Sequence, residues 1–99
     1  MPPDASAPPT PAALKLRLKE LIIATCDLDG ITPEDIGDDE RLIRGGGRFD
    51  LNSLDAIEIA AAIEREFSVR IEDLSAAKAV FRTVSSLAAH IGRSRGWAP

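Results

Sequence analysis

Apolar residues recur at helical spacing from position 14 onward. Leu14, Leu18, Leu21, Ile22 and Thr25 share one face, with Lys15, Lys19 and Glu20 lying away from it, which predicts a first helix that stops near residues 27–30. Thr32-Pro33-Glu34-Asp35 then gives a short turn, with Thr32 as cap and Pro33 at the first helical position. Residues 36–52 keep no sustained period. They contain Asp38-Asp39-Glu40 and Gly45-Gly46-Gly47, and read as a long loop pinned by Leu42, Ile43 and Leu51. Helical spacing resumes over residues 53–67, over a short stretch at 75–81 capped by Ser75, and over 83–93. In the last of these Val84, Leu87, Ala88 and Ile91 form the inward stripe, Arg93 and Arg95 suit the negative helix end, and Gly96 supplies a stop. Val69 and Ile71 add apolar loop contacts beyond the second helix, and no run alternates with period two. The expected fold is all-α: a small four-helix bundle of three main helices and one short one, with a long loop between helices 1 and 2. Residues 1–12 form a disordered proline-rich tail, 13–94 the bundle and 95–99 a C-terminal tail, where Trp97 either folds over the bundle or stays in a mobile tail and takes no assigned role.

The second helix has two apolar faces. At about 100° per residue Ala56, Ile59, Ala60, Ile63 and Phe67 group as the core face. Leu54, Ile57 and Ala61 fall on the opposite side, bordered by Asp55, Glu58 and Glu64. Two readings stand. Either this strip is an exposed docking surface, or the long loop folds back over Leu54 and Ile57 and the acids are an ordinary solvated face.

Composition narrows the functions. A 99-residue chain forms one small domain, large enough for a core but too small to enclose a deep active-site cavity as well. Hydrophobic residues at 44% and charged residues at 28% indicate a globular chain. A formal net charge of -4, no tyrosine and only four aromatic residues, Phe49, Phe67, Phe81 and Trp97, point away from nucleic acid. The lone Cys26 excludes an intramolecular disulfide and suits a reducing, cytoplasmic setting, where it reads as a packing residue. The first dozen residues hold five prolines and match neither a secretory signal nor a membrane span. The glycine run lacks a following Gly-Lys-Ser/Thr, so it is no phosphate cradle. Asp38, Asp39 and Glu40 lack EF-hand spacing and read as solvated acids. His90 has no partner at metal-ligand spacing and reads as a boundary residue. No acid-base pair or nucleophile-base arrangement stands out, so the chain reads as a binding protein rather than an enzyme.

The remaining chemistry lies at Ser53. The run Phe49-Asp50-Leu51-Asn52-Ser53-Leu54-Asp55-Ala56-Ile57-Glu58-Ile59 puts one hydroxyl where the loop gives way to an acidic amphipathic helix. A phosphodiester there would meet unsatisfied backbone N–H groups and the positive end of the helix dipole. This run, the Glu64-Arg65-Glu66-Phe67 helix end and the following Val69-x-Ile71-x-Asp73 resemble the acyl carrier protein family, over residues 14–91. The resemblance implies 4'-phosphopantetheine from coenzyme A on Ser53, bearing acyl groups as thioesters. It also implies a partner surface of Leu54, Asp55, Ile57, Glu58, Ala61 and Glu64. Implied partners are a phosphopantetheinyl transferase, which brings its own magnesium, and acyl-processing enzymes such as a ketosynthase, acyltransferase or acyl ligase of fatty-acid, polyketide or related lipid biosynthesis. The protein would act as a cytoplasmic monomer, without nucleic acid or membrane insertion.

Three departures suggest a specialised rather than a housekeeping member. Asn52 stands where aspartate is usual, Arg65 stands where the pattern is acidic, and Gly45-Gly46-Gly47-Arg48 lengthens the loop. A peptidyl or aminoacyl carrier shares the serine and the architecture. A rival of another kind is an unmodified module that only docks through its acidic helix.

Overall fold

Thr10 and Pro11 start the first helix in the computed structural model, which describes residues 9–43, 51–71 and 80–97. Helix α1 spans Pro11–Cys26: the Thr10 hydroxyl accepts the Ala13 N–H at 3.1 Å, and Pro11 occupies the first turn, where its missing N–H costs nothing. The helix thus takes in Pro11 and Ala12, which the sequence reading placed in the tail. It closes at Asp27, a left-handed residue at φ 52°, with the N–H groups of Asp27 and Leu28 both donating to the Ile23 carbonyl. A 3-10 turn over Pro33–Asp35 follows, and the Asp35 carboxylate accepts from the Thr32 N–H at 3.0 Å.

Helix α2 spans Ser53–Phe67, as its spacing predicts. Helix α3 spans Val84–Arg95: Thr83 caps it by accepting the Ser86 N–H at 3.0 Å, and Gly96 ends it at φ 72°, where a side chain would be strained. Beyond that stop the Trp97 N–H donates to the Gly92 carbonyl at 2.8 Å. The Trp97 ring packs against the core, with the Arg95 guanidinium 5.6 Å from its centroid. Arg95 and Trp97 therefore belong to the folded unit and not to a tail. The expected short helix at 75–81 lies outside the described residues apart from Val80 and Phe81, both buried. The glycine run at 45–47 and the first eight residues lie outside them as well.

Helix α1 is central, packing against α2, α3 and the 3-10 turn. Leu14, Leu18 and Ile22 enter the core from α1, meeting Ile59, Ile63 and Phe67 of α2 and Val84, Leu87, Ala88 and Ile91 of α3. Ile36, Leu42 and Leu51 seal it from the loop, with Ile43 half-buried beside them. Each fully buried Leu or Ile contributes about 1.5–3 kcal/mol of transfer free energy, so this cluster holds the helices together. The structure corrects one face: Ala62 is buried on α2, whereas Ala56 and Ala60 are only half-buried. Among the described residues the extended backbone amounts to an isolated parallel bridge, Ile43 to Leu51, and no strand, so the fold is all-α.

Asp38 is open to water, as expected, but it is also ion-paired. Its carboxylate takes the Lys19 ammonium at 2.6 Å and the Lys15 ammonium at 3.6 Å, while its carbonyl accepts the Ser85 N–H at 2.9 Å. The two lysines expected to lie away from the core side of α1 thus lean toward the loop. The Leu42 N–H adds a bond to the Arg82 carbonyl at 3.0 Å, so the long connection is joined to the start of α3 at two points.

Candidate functional site

Ser53 is the first residue of α2 and is exposed. Asn52 precedes it as cap: its side-chain oxygen accepts the Asp55 N–H at 3.0 Å, and Asp55 Oδ2 accepts the Asn52 N–H at 3.0 Å. The Ala56 N–H returns to the Asn52 carbonyl at 3.1 Å. The N–H groups of Ser53 and Leu54 remain without intrahelical acceptors and carry the positive end of the helix dipole. The Ser53 hydroxyl makes no hydrogen bond to a described residue.

The open question about α2 is answered by exposure. Leu54 is 62% exposed and Ile57 59%, and Ala61 is exposed on the same side. Glu58 and Glu64 are exposed, and Asp55 is half-buried with its carboxylate engaged in the cap. The structure thus brings all seven sequence-predicted residues onto one helix, with Ser53 at its start and Glu64 three turns on.

Other features were hidden in the sequence. The acids are not equivalent: Arg70 lies 3.6 Å from Glu64, and Arg17 reaches from α1 to Glu66 at 2.8 Å while stacking 4.8 Å from the Phe67 ring centroid. Cys26, at the end of α1, senses the same helix. Burial chiefly, then the negative charges of Asp55 and Glu58, push its thiol up to about 11. Only tertiary contact places these groups together, and no local pattern announces it. His90 is half-buried, with its Nε2 enclosed and unpartnered, in keeping with a boundary position.

Among the described residues no group of His, Cys, Asp and Glu is placed to hold a metal ion, and no helix is long and apolar enough to cross a membrane. A comparison with curated proteins found no match. A family profile described as "Phosphopantetheine attachment site" matches residues 18–91, from the middle of α1 to the last turns of α3. With a helical bundle presenting one exposed serine at the head of an acidic helix, and a match over most of its length, this chain belongs to the phosphopantetheine attachment site family, whose domains carry covalent 4'-phosphopantetheine.

Proposed function

We propose that the chain is an acyl carrier protein, modified on Ser53 and serving enzymes that build or transfer acyl groups. The observation that carries this reading is the exposed Ser53 hydroxyl at the N-terminus of α2, one residue before the exposed Leu54 and Ile57 strip. The residues fit the group. A phosphodiester on Ser53 faces two free first-turn N–H groups, and the neutral Asn52 cap adds no repelling charge.

Ser53 Oγ attacks the phosphorus of coenzyme A that bears the pantetheine arm, the bond to the adenosine bisphosphate breaks, and the serine proton passes to a base. Asp55 is held by the Asn52 N–H, and the resemblance to acyl carrier proteins implies that the base and the metal ion come with the transferase. Once attached, 4'-phosphopantetheine supplies a terminal thiol that holds acyl groups as thioesters. The chain itself contributes a fixed tether point and a docking face, and performs no catalysis. Exposed Glu58, with Asp55 beside it, supports acyl rather than peptidyl cargo and gives weak, salt-sensitive docking to basic partner surfaces. Fast exchange suits a carrier that visits several enzymes in turn.

Intact-protein mass spectrometry after incubation with coenzyme A, magnesium and a broad-specificity phosphopantetheinyl transferase tests this. One phosphopantetheine adduct is expected, mapping to Ser53 and lost in Ser53→Ala. An adduct elsewhere overturns the attachment site. No adduct, with a control carrier modified in parallel, favours a specialised transferase or the unmodified docking module. Loading assays with an acyl ligase and an aminoacyl-activating enzyme then separate the acyl from the peptidyl reading.

A further inference from the structure

The exposed face of α2 carries charge at both ends, of opposite sign. At about 100° per residue Leu54, Ile57, Glu58, Ala61 and Arg65 fall within an arc of about 100°, and all five are exposed. Glu58 and Arg65 stand two turns apart on this arc, about 10 Å along the axis, with Ala61 between them. Neither is ion-paired among the described residues. Among the described residues the neighbouring acids at the far end have basic partners, Glu64 with Arg70 at 3.6 Å and Glu66 with Arg17 at 2.8 Å, whereas the Arg65 guanidinium has no acidic one.

We infer that Arg65 is a specificity determinant of this face. It selects partner proteins whose contact surface has an apolar centre, a cation at the end seated near Ser53 and a carboxylate about 10 Å further along. A surface that is basic throughout meets attraction at Glu58 and repulsion at Arg65, so the helix discriminates by arrangement of charge and not by total charge. The inference rests on the reading of α2 as a docking face.

The test uses the full chain and two synthetic amphipathic helical peptides with the same leucine face. The first bears lysine at one end and glutamate at the other, two turns apart; the second bears lysine at both ends. Amide shift titrations at low salt should give the mixed peptide a Kd roughly 2- to 5-fold lower on the parent, the size expected for one exposed charge pair. Arg65→Glu should reverse that order, Arg65→Lys should keep it, and high salt should shrink both differences. Equal affinities on the parent, an order unchanged by Arg65→Glu, or no binding of either peptide would overturn the inference. Circular dichroism of each variant establishes that the helices persist, as expected for an exposed position. Failure of the carrier reading is seen separately, as absence of the Ser53 adduct, so the two can fail independently.

Discussion

Asn52 and Asp55 cap one another: each side chain accepts the other's backbone N–H at 3.0 Å, immediately before and within the first turn of α2. The residue that departs from the usual aspartate keeps the capping role. Asn52→Ala should lower stability by about 1 kcal/mol in urea unfolding. Asn52→Asp should keep the cap, and it should slow modification only if a charge beside Ser53 hinders approach of coenzyme A. An Asn52→Ala protein as stable as the parent would remove the cap from this account.

The same bond makes Asp55 a poor probe of docking, because its replacement also loosens the helix start. Glu58 is exposed, without a cap to break. Glu58→Lys should slow phosphopantetheinyl transfer severalfold at low salt and much less at high salt, with unfolding unchanged. Equal rates at both salt concentrations would take Glu58 out of the docking face.

Asp38 gives the fold an acid-sensitive contact. Its hydrogen bond from Lys19, with the charges of Lys19 and Lys15, holds its carboxyl below the ordinary 3.8. Because the folded value is depressed, the stability it contributes is present above 3.8 and is lost as pH falls through the lower folded value. The carboxylate is largely open to water, so the effect is small. Asp38→Asn should flatten the dependence of stability on pH in that acidic range, measured by thermal melts. An unchanged slope would mean that the lysines contribute nothing there.

Cys26 predicts the alkaline limb. Its thiol rises from the ordinary 9.0 to about 11 on folding, so the folded state retains a proton that the unfolded chain gives up first. Stability from this source is complete below 9.0 and falls as pH climbs toward 11. At mildly alkaline pH Cys26 should react with a thiol reagent far more slowly in the native protein than in urea. Equal rates would place the thiol in water.

Ser68 closes α2 in the left-handed region at φ 57°, a conformation that costs a side chain and suits glycine. Ser68→Gly should raise stability by up to about 1 kcal/mol, since it is exposed and its N–H bond to the Glu64 carbonyl at 2.9 Å is a backbone bond. A loss of stability would show that the serine side chain makes a contact worth more than the strain.

The helices were legible where local chemistry decides. The bounds of α2, the Gly96 stop and the grouping of Leu54 and Ile57 on one side of α2 all follow from period and end residues, whereas the exposure of that strip does not. The ion pairs of Asp38 were not readable because its partners Lys15 and Lys19 lie about twenty residues away, and charge patterning within a window says nothing of that distance. Trp97 packs on the core through a C-terminal closure that only the bond to Gly92 reveals. Ala61 and Ala62 are chemically identical neighbours on opposite sides of a boundary. Helical spacing placed Ala61 on the outer side, where it is exposed, but left the burial of Ala62 unassigned. On α2 the placement of Ser53, Asp55, Glu58 and Glu64 on one helix was readable, but the pairing of Glu64 with Arg70 and of Glu66 with Arg17 on α1 was not.

The two backbone bonds from the loop to the start of α3, Ser85 to Asp38 and Leu42 to Arg82, have a consequence for hydrogen exchange. Neither amide lies within a helix ladder that frays alone, since freeing either one means separating the loop from α3. Leu42 and Ser85 should therefore exchange in a single cooperative opening, slower than the first-turn amides of Ser53 and Leu54. Asp38 to Leu42 then belong to the slow-exchanging unit of the protein, while the end of α2 that bears the serine stays among its fastest.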